Sequence, residues 1–122
     1  MMQILKPVVL VVEDEHLIRM LAVEAFRDEG FIALEAEHAA EALIVFGGLI
    51  RVQVLFTDVN MPGEMNGIDL AEHLKGLEPA LHIIVTSALP ILRSVDALPA
   101  TFMTKPYHLR EVCHAARGLL AA

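Results

Sequence analysis

Residues 52–67 read VQVLFTDVNMPGEMNG. An apolar run ends on the carboxylate of Asp58 and passes at once into a loop holding Pro62, Gly63 and Gly67. A buried strand does not tolerate a lone carboxylate unless it is paired or coordinated, because desolvating the charge is costly. Asp58 is therefore either a turn residue reaching water or a group placed for chemistry. Its neighbours along the chain decide between the two. Pro62 fixes φ, while Gly63 and Gly67 supply permissive backbone, so the loop turns the chain sharply from a strand into a helix.

Working outward, the pattern repeats. Val8–Val12 is a continuous apolar run between Pro7 and the acidic Glu13-Asp14, as expected of a strand buried on both faces. Residues 15–29 switch to helical spacing, with Leu17, Ile18, Leu21, Ala22, Ala25 and Phe26 as the apolar stripe and Gly30 as the stop. Short strands are predicted at Phe31–Leu34, Val52–Thr57, His82–Thr86 and Thr101–Thr104. Helices are predicted at Ala39–Phe46, Ile68–Lys75 and Tyr107–Leu120. Strict alternation of this kind predicts a parallel sheet covered by helices on both faces. In such sheets the functional crevice lies beyond the carboxyl ends of the strands.

Those ends carry a coherent set. Glu13 and Asp14 follow the first strand, Asp58 ends the third, Thr86 ends the fourth, and Lys105-Pro106 follows the fifth. Carboxylates sharing a site repel one another unless a cation intervenes. Mg²⁺ takes one or two carboxylates together with water and phosphate oxygens. Lys105 offers a compact charge suited to phosphate, and Thr86 a hydroxyl donor. Together these describe a phosphoryl-transfer site with a carboxylate nucleophile. The bland alternatives are a strand-end turn for Asp58 and a helix N-cap for Glu13-Asp14. The N-cap role is compatible with the chemistry and is expected in addition.

Composition excludes other classes. The chain has 122 residues, 56% of them apolar, a formal net charge of −7, and a single cysteine, Cys113. That is enough for one domain with an aliphatic core. The nine basic residues are scattered, which argues against a nucleic-acid partner. No apolar run approaches the ~20 residues of a membrane span, and no signal peptide is legible. One cysteine forms no internal disulfide and fits a cytoplasmic location. His16, His38, His73, His82, His108 and His114 share no metal-ligand spacing. Cys113 and the methionines read as packing.

Four motifs, VVEDE at 11–15, FTDVNMPGEMNG at 56–67, VTSA at 85–88 and FMTKPY at 102–107, resemble the response regulator receiver domains of bacterial two-component signalling, the CheY-like superfamily. The resemblance covers essentially the whole chain. It implies a doubly wound, flavodoxin-like (βα)5 sandwich with strand order 2-1-3-4-5. It implies that Asp58 is the phosphoacceptor. It implies that Mg²⁺, or Mn²⁺ in its place, is bound by Asp14, Asp58 and the backbone carbonyl of Asn60, with Glu13 acting through water. It further implies that Thr86 is the switch hydroxyl, Lys105 the phosphoryl-pairing lysine and Phe102 the aromatic switch, and that the bond preceding Pro106 is cis.

The function so implied is that of a stand-alone receiver, residues 1–122, with no output domain. It takes phosphoryl from a histidine kinase or histidine phosphotransfer protein and changes its contacts with an unnamed downstream protein. It is not an enzyme with an external substrate. The alternatives are a phosphorylation-independent module of the same fold and a receiver fragment of a hybrid kinase. An aspartate-nucleophile phosphohydrolase of the haloacid dehalogenase type needs a second aspartate two residues after the first, where this chain has Asn60.

Two departures from the family stand out. Gly63-Glu64 occupy a place where one residue is usual, which should alter the loop without moving the metal ligands. The segment between Thr86 and Lys105 is short and holds Pro90 and Pro99, so a fourth helix should be short, roughly Ile91 to Ala97, or partly disordered. That shortening weakens the expectation of dimerisation through the usual face and of full coupling between Thr86 and Phe102. Ala88, two residues past Thr86, should leave the site open to water.

Overall fold

The computed structural model describes residues 5–88 and 98–121. The elements run β1 (Val8–Val12), α1 (His16–Asp28), β2 (Ile32–Ala36), α2 (Ala39–Phe46), β3 (Val54–Asp58), α3 (Gly67–Leu77), β4 (His82–Ser87), β5 (Thr101–Thr104) and α4 (Leu109–Ala121). All strand pairs are parallel, in the order β2-β1-β3-β4-β5. This is the doubly wound, flavodoxin-like arrangement the resemblance implies. The expected helix at 91–97 lies outside the described residues.

Burial follows position in the sheet. Every residue of the inner strands β1 and β3 is buried, whereas β2 and β5 at the edges alternate. Alternate side chains of the inner strands feed two cores. Leu10, Val12, Leu55, Ile83 and Val85 face Ala42, Leu70 and Leu74 of α2 and α3. Val9, Val11, Val54, Phe56 and Ile84 face Val23 and Phe26 of α1 and Val112 and Ala116 of α4. Continuous apolar runs are what such doubly covered strands require.

The helix ends differ from the expected ones in instructive ways. α1 closes as predicted at Gly30, whose φ of +88° lets its N–H reach the Arg27 carbonyl while Phe31 N–H reaches that of Phe26. Its start corrects the N-cap expectation. The N-cap is Glu15, with no side-chain cap, and the Glu13 carboxylate instead accepts from Glu15 N–H at 3.2 Å. Of the predicted apolar stripe, Ala22 and Phe26 are buried and Ala25 packs against the core, but Leu17 and Leu21 are exposed and Arg19 and Val23 are buried instead. α3 opens on a capping box, Asn66 with Asp69, and runs through Gly76 rather than stopping there.

Gly67 ties α3 to β3. Its N–H donates to the Val59 carbonyl at 2.8 Å. A Cβ at this position would lie 1.9 Å from the Asp58 carbonyl oxygen, closer than any real contact. The absence of a side chain here is a matter of space, since Gly67 is not among the glycines with positive φ. Gly63 is, at +103° and with nothing near its missing Cβ, so the longer loop swings outward there.

Gly67→Ala should therefore cost about 3 kcal/mol, the upper range for forcing an extra methyl into a packed site, and lower Tm by roughly 12 °C. Gly76→Ala, with open space around it, should raise stability by about 0.5 kcal/mol by improving helix propensity. Thermal melts of the two variants check both.

Candidate functional site

Parallel pairing delivers the strand ends to one edge in register. Asp58 and Thr86 are direct partners across β3 and β4, and Lys105 follows β5, its N–H bonded to the Ser87 carbonyl at 2.8 Å. The Asp58 backbone is held from several sides: Thr57 Oγ1 donates to its carbonyl at 3.0 Å, Gly67 packs against that carbonyl, and the following N–H, of Val59, donates to Thr86 O at 2.9 Å. The strand thus aims the side chain with little freedom.

The carboxylate of Asp58 is 7% exposed and fully engaged. Lys105 Nζ donates to Oδ2 at 2.9 Å, and the N–H of Asn60 donates to Oδ1 at 3.3 Å. Carboxylate oxygens of Glu13, Asp14 and Asp58 lie within 4.8 Å of one another. Glu13 is buried and Asp14 exposed, so the cluster opens to solvent on the Asp14 side. Thr86, the ladder partner of Asp58, is buried. Tyr107 stacks edge-on against Phe56, with centroids 6.0 Å apart. The Lys105–Pro106 bond is cis. Phe102 stands outward, 36% exposed.

Three carboxylates against one lysine leave the site short of positive charge. Burial, followed by the hydrogen bond with Asp14 and the charge of Asp58, pushes the Glu13 carboxyl up to about 7. Burial alone would weaken the proton on Lys105, but the hydrogen bond and charge of Asp58 outweigh it and raise the ammonium's pKa. Lys105 is thus firmly cationic. An all-oxygen cluster that is short of cations fits a hard divalent ion such as Mg²⁺ rather than a thiolate- or imidazole-seeking metal.

The structure thus brings Glu13, Asp14, Asp58, Thr86 and Lys105 together, with Asn60 beside Asp58, and leaves Phe102 apart from them. Sequence reasoning missed Tyr107, although it stands in the FMTKPY motif, and Arg19, discussed below. None of the six histidines belongs to the cluster. His38 instead caps α2, accepting from Glu41 N–H at 3.2 Å. Cys113 is buried, and burial first of all pushes its thiol up to about 11. No helix among the described residues is long and apolar enough to cross a membrane.

The Glu13 shift has a consequence for stability. Between pH 4.5 and about 7 the folded protein holds a proton on Glu13 that the unfolded chain has released. Stability therefore falls as pH rises through that window, with the penalty fully developed above it. In chelator-treated protein, Glu13→Gln should flatten this fall and raise Tm at pH 8 by a few degrees, at roughly 4 °C per kcal/mol. Melts of both proteins from pH 5 to 8 check it.

Comparison with known proteins agrees with this geometry. The response regulator receiver domain family matches residues 9–117. The chain is 33% identical over 119 residues to the sensor kinase CckA of Brucella abortus, covering 92% of this chain but 12% of that protein. It is 28% identical over 116 residues to sporulation initiation phosphotransferase F of Bacillus subtilis, covering 92% of each. The crystal structure of the response regulator TrrA from Thermotoga maritima, in complex with Mg²⁺-BeF, superposes with a TM-score of 0.79 at 28% identity, over 93% of this chain and 98% of that one. A parallel sheet whose carboxyl edge gathers an acidic trio, a buried threonine and a lysine, matched along nearly its whole length, places this chain in the response regulator receiver domain family.

Proposed function

We propose that the chain is a Mg²⁺-dependent phosphoacceptor, with Asp58 taking a phosphoryl group from a phosphohistidine on a histidine kinase or phosphotransfer protein. The observation that carries this reading is the ion pair of Asp58 Oδ2 with Lys105 Nζ at 2.9 Å, set against Glu13 and Asp14 oxygens within 4.8 Å. A carboxylate oxygen of Asp58 forms the new bond to phosphorus as the phosphorus–nitrogen bond to the histidine breaks, and the imidazole leaves with that electron pair. Lys105 neutralises charge on the transferred group, and the Asn60 N–H keeps the carboxylate oriented. Asp14 and Asp58, with the Asn60 carbonyl and with Glu13 through water, would hold Mg²⁺, or Mn²⁺ in its place. The bound ion supplies further neutralisation of the phosphoryl oxygens.

In this reading Thr86 turns its hydroxyl to the new phosphoryl group, a role its ladder pairing with Asp58 supports. Phe102, exposed before transfer, is the aromatic that follows inward. The output is a change of protein contacts in the cytoplasm, and no external substrate is turned over. The match over 92% of phosphotransferase F favours a stand-alone receiver. The match to part of the CckA sensor kinase supports a second reading, a receiver belonging to a larger kinase.

Intact-protein mass spectrometry after incubation with acetyl phosphate tests the chemistry. A single phosphoryl adduct should form with Mg²⁺, vanish with chelator and be absent from Asp58→Asn. No adduct on folded protein with Mg²⁺ present would instead favour a phosphorylation-independent interaction module.

A further inference from the structure

Arg19 is the one buried basic side chain among the described residues, 5% exposed, and it sits directly behind the acidic pair. Its Nη1 donates to the Glu13 carbonyl at 2.8 Å. That carbonyl belongs to the peptide joining Glu13 to Asp14. The preceding N–H, of Glu13, is held by the Ala36 carbonyl of β2 at 3.1 Å. The remaining guanidinium nitrogens face Glu35 Oε1 at 3.0 Å, His16 Nδ1 at 3.1 Å and Glu37 Oε1 at 3.6 Å. The planar fork of arginine holds these directions at once, which a lysine cannot do.

Packing alone does not explain an arginine here. Burying a guanidinium carries a desolvation cost that an apolar residue of similar volume would avoid. Its ion pairs are with Glu35 and Glu37 at the end of β2, outside the Glu13–Asp14–Asp58 cluster, and its shortest hydrogen bond falls on the peptide that joins Glu13 to Asp14. We propose that Arg19 is a positioning residue of the phosphoacceptor site, aiming the Glu13 and Asp14 carboxylates at Mg²⁺ by fixing the peptide between them. This rests on the Mg²⁺-dependent reading given above.

Arg27 is a built-in control. It lies on the same helix, and its Nη2 donates to the Ala33 carbonyl of β2 at 3.0 Å, away from the site. If Arg19 only tethers α1 to β2, replacing either arginine should act alike. The test is a MgCl2 titration of wild type, Arg19→Met, Arg19→Lys and Arg27→Met, followed by the fluorescence of Tyr107. This is the chain's only tyrosine, there is no tryptophan, and it feels the charges of Lys105, Glu13 and Asp58. Arg19→Met should weaken Mg²⁺ binding roughly 10- to 100-fold, as loss of a residue supporting metal ligands does, with Arg19→Lys in between and Arg27→Met unchanged. The Mg²⁺ needed for half-maximal adduct formation with acetyl phosphate should rise by the same factor, while the rate at saturating Mg²⁺ returns close to wild type. A folded Arg19 variant of either kind with wild-type Mg²⁺ affinity overturns the inference, as does an equal loss in Arg27→Met. A wild type that does not respond to Mg²⁺ by fluorescence or adduct formation overturns the underlying reading as well, and is told apart because the unaltered protein itself fails.

Discussion

Three carboxylates share one lysine at the carboxyl edge of this sheet, and the molecule is arranged around that imbalance. Glu13, Asp14 and Asp58 come from two neighbouring strands, so parallel pairing forces them together whatever their mutual repulsion. The surrounding structure answers in several ways. Lys105 is brought from the edge strand, the Asn60 N–H is turned onto Asp58, and Glu13 retains a proton to about pH 7. Lys105 offsets one negative charge and the Glu13 proton a second below about pH 7, and above that the excess returns. A cluster built so fits a hard divalent cation, whose charge complements the carboxylates.

Holding that charge requires a rigid frame, and the frame is mostly backbone. Asp58 is fixed by its ladder to β4, by the Thr57 hydroxyl and by the close approach of Gly67. Phe26, Phe56 and Tyr107 form an edge-to-face series from the core of α1 to the rim of the site. Such contacts contribute about 0.5–1.5 kcal/mol each beyond area burial. The series ends at Tyr107, the residue after the cis Lys105–Pro106 bond.

The sheet was legible in the sequence because inner parallel strands are covered on both faces, and residues 8–12, 54–56 and 83–85 are unbroken apolar runs. The site was legible because its residues stand at strand ends, where a charged residue after an apolar run is conspicuous. The buried face of α1 was legible only in part, since Ala22 and Phe26 are buried as the stripe predicts. Leu17 and Leu21 fit a helical stripe by spacing, yet the helix turns Arg19 inward instead. The reason lies in the Glu13 carbonyl and in Glu35, partners that no local pattern reveals. Gly67 was read as a flexible turn residue; its steric role depends on a strand nine residues earlier lying against it. The Asn66–Asp69 capping box was readable and was overlooked. At the extra residue, Gly63 takes a positive φ with open space about it, while Met61 and Met65 on either side pack on the core.

The central claim is that Asp58, with Mg²⁺, presents a phosphoryl-accepting geometry. Fluorine NMR with beryllofluoride tests it most directly, since that ion mimics the phosphoryl group without being turned over. Bound fluoride resonances should appear with wild type only when Mg²⁺ is present, and should be missing in Asp58→Asn. A folded wild-type protein in saturating Mg²⁺ that shows free beryllofluoride alone would contradict the account.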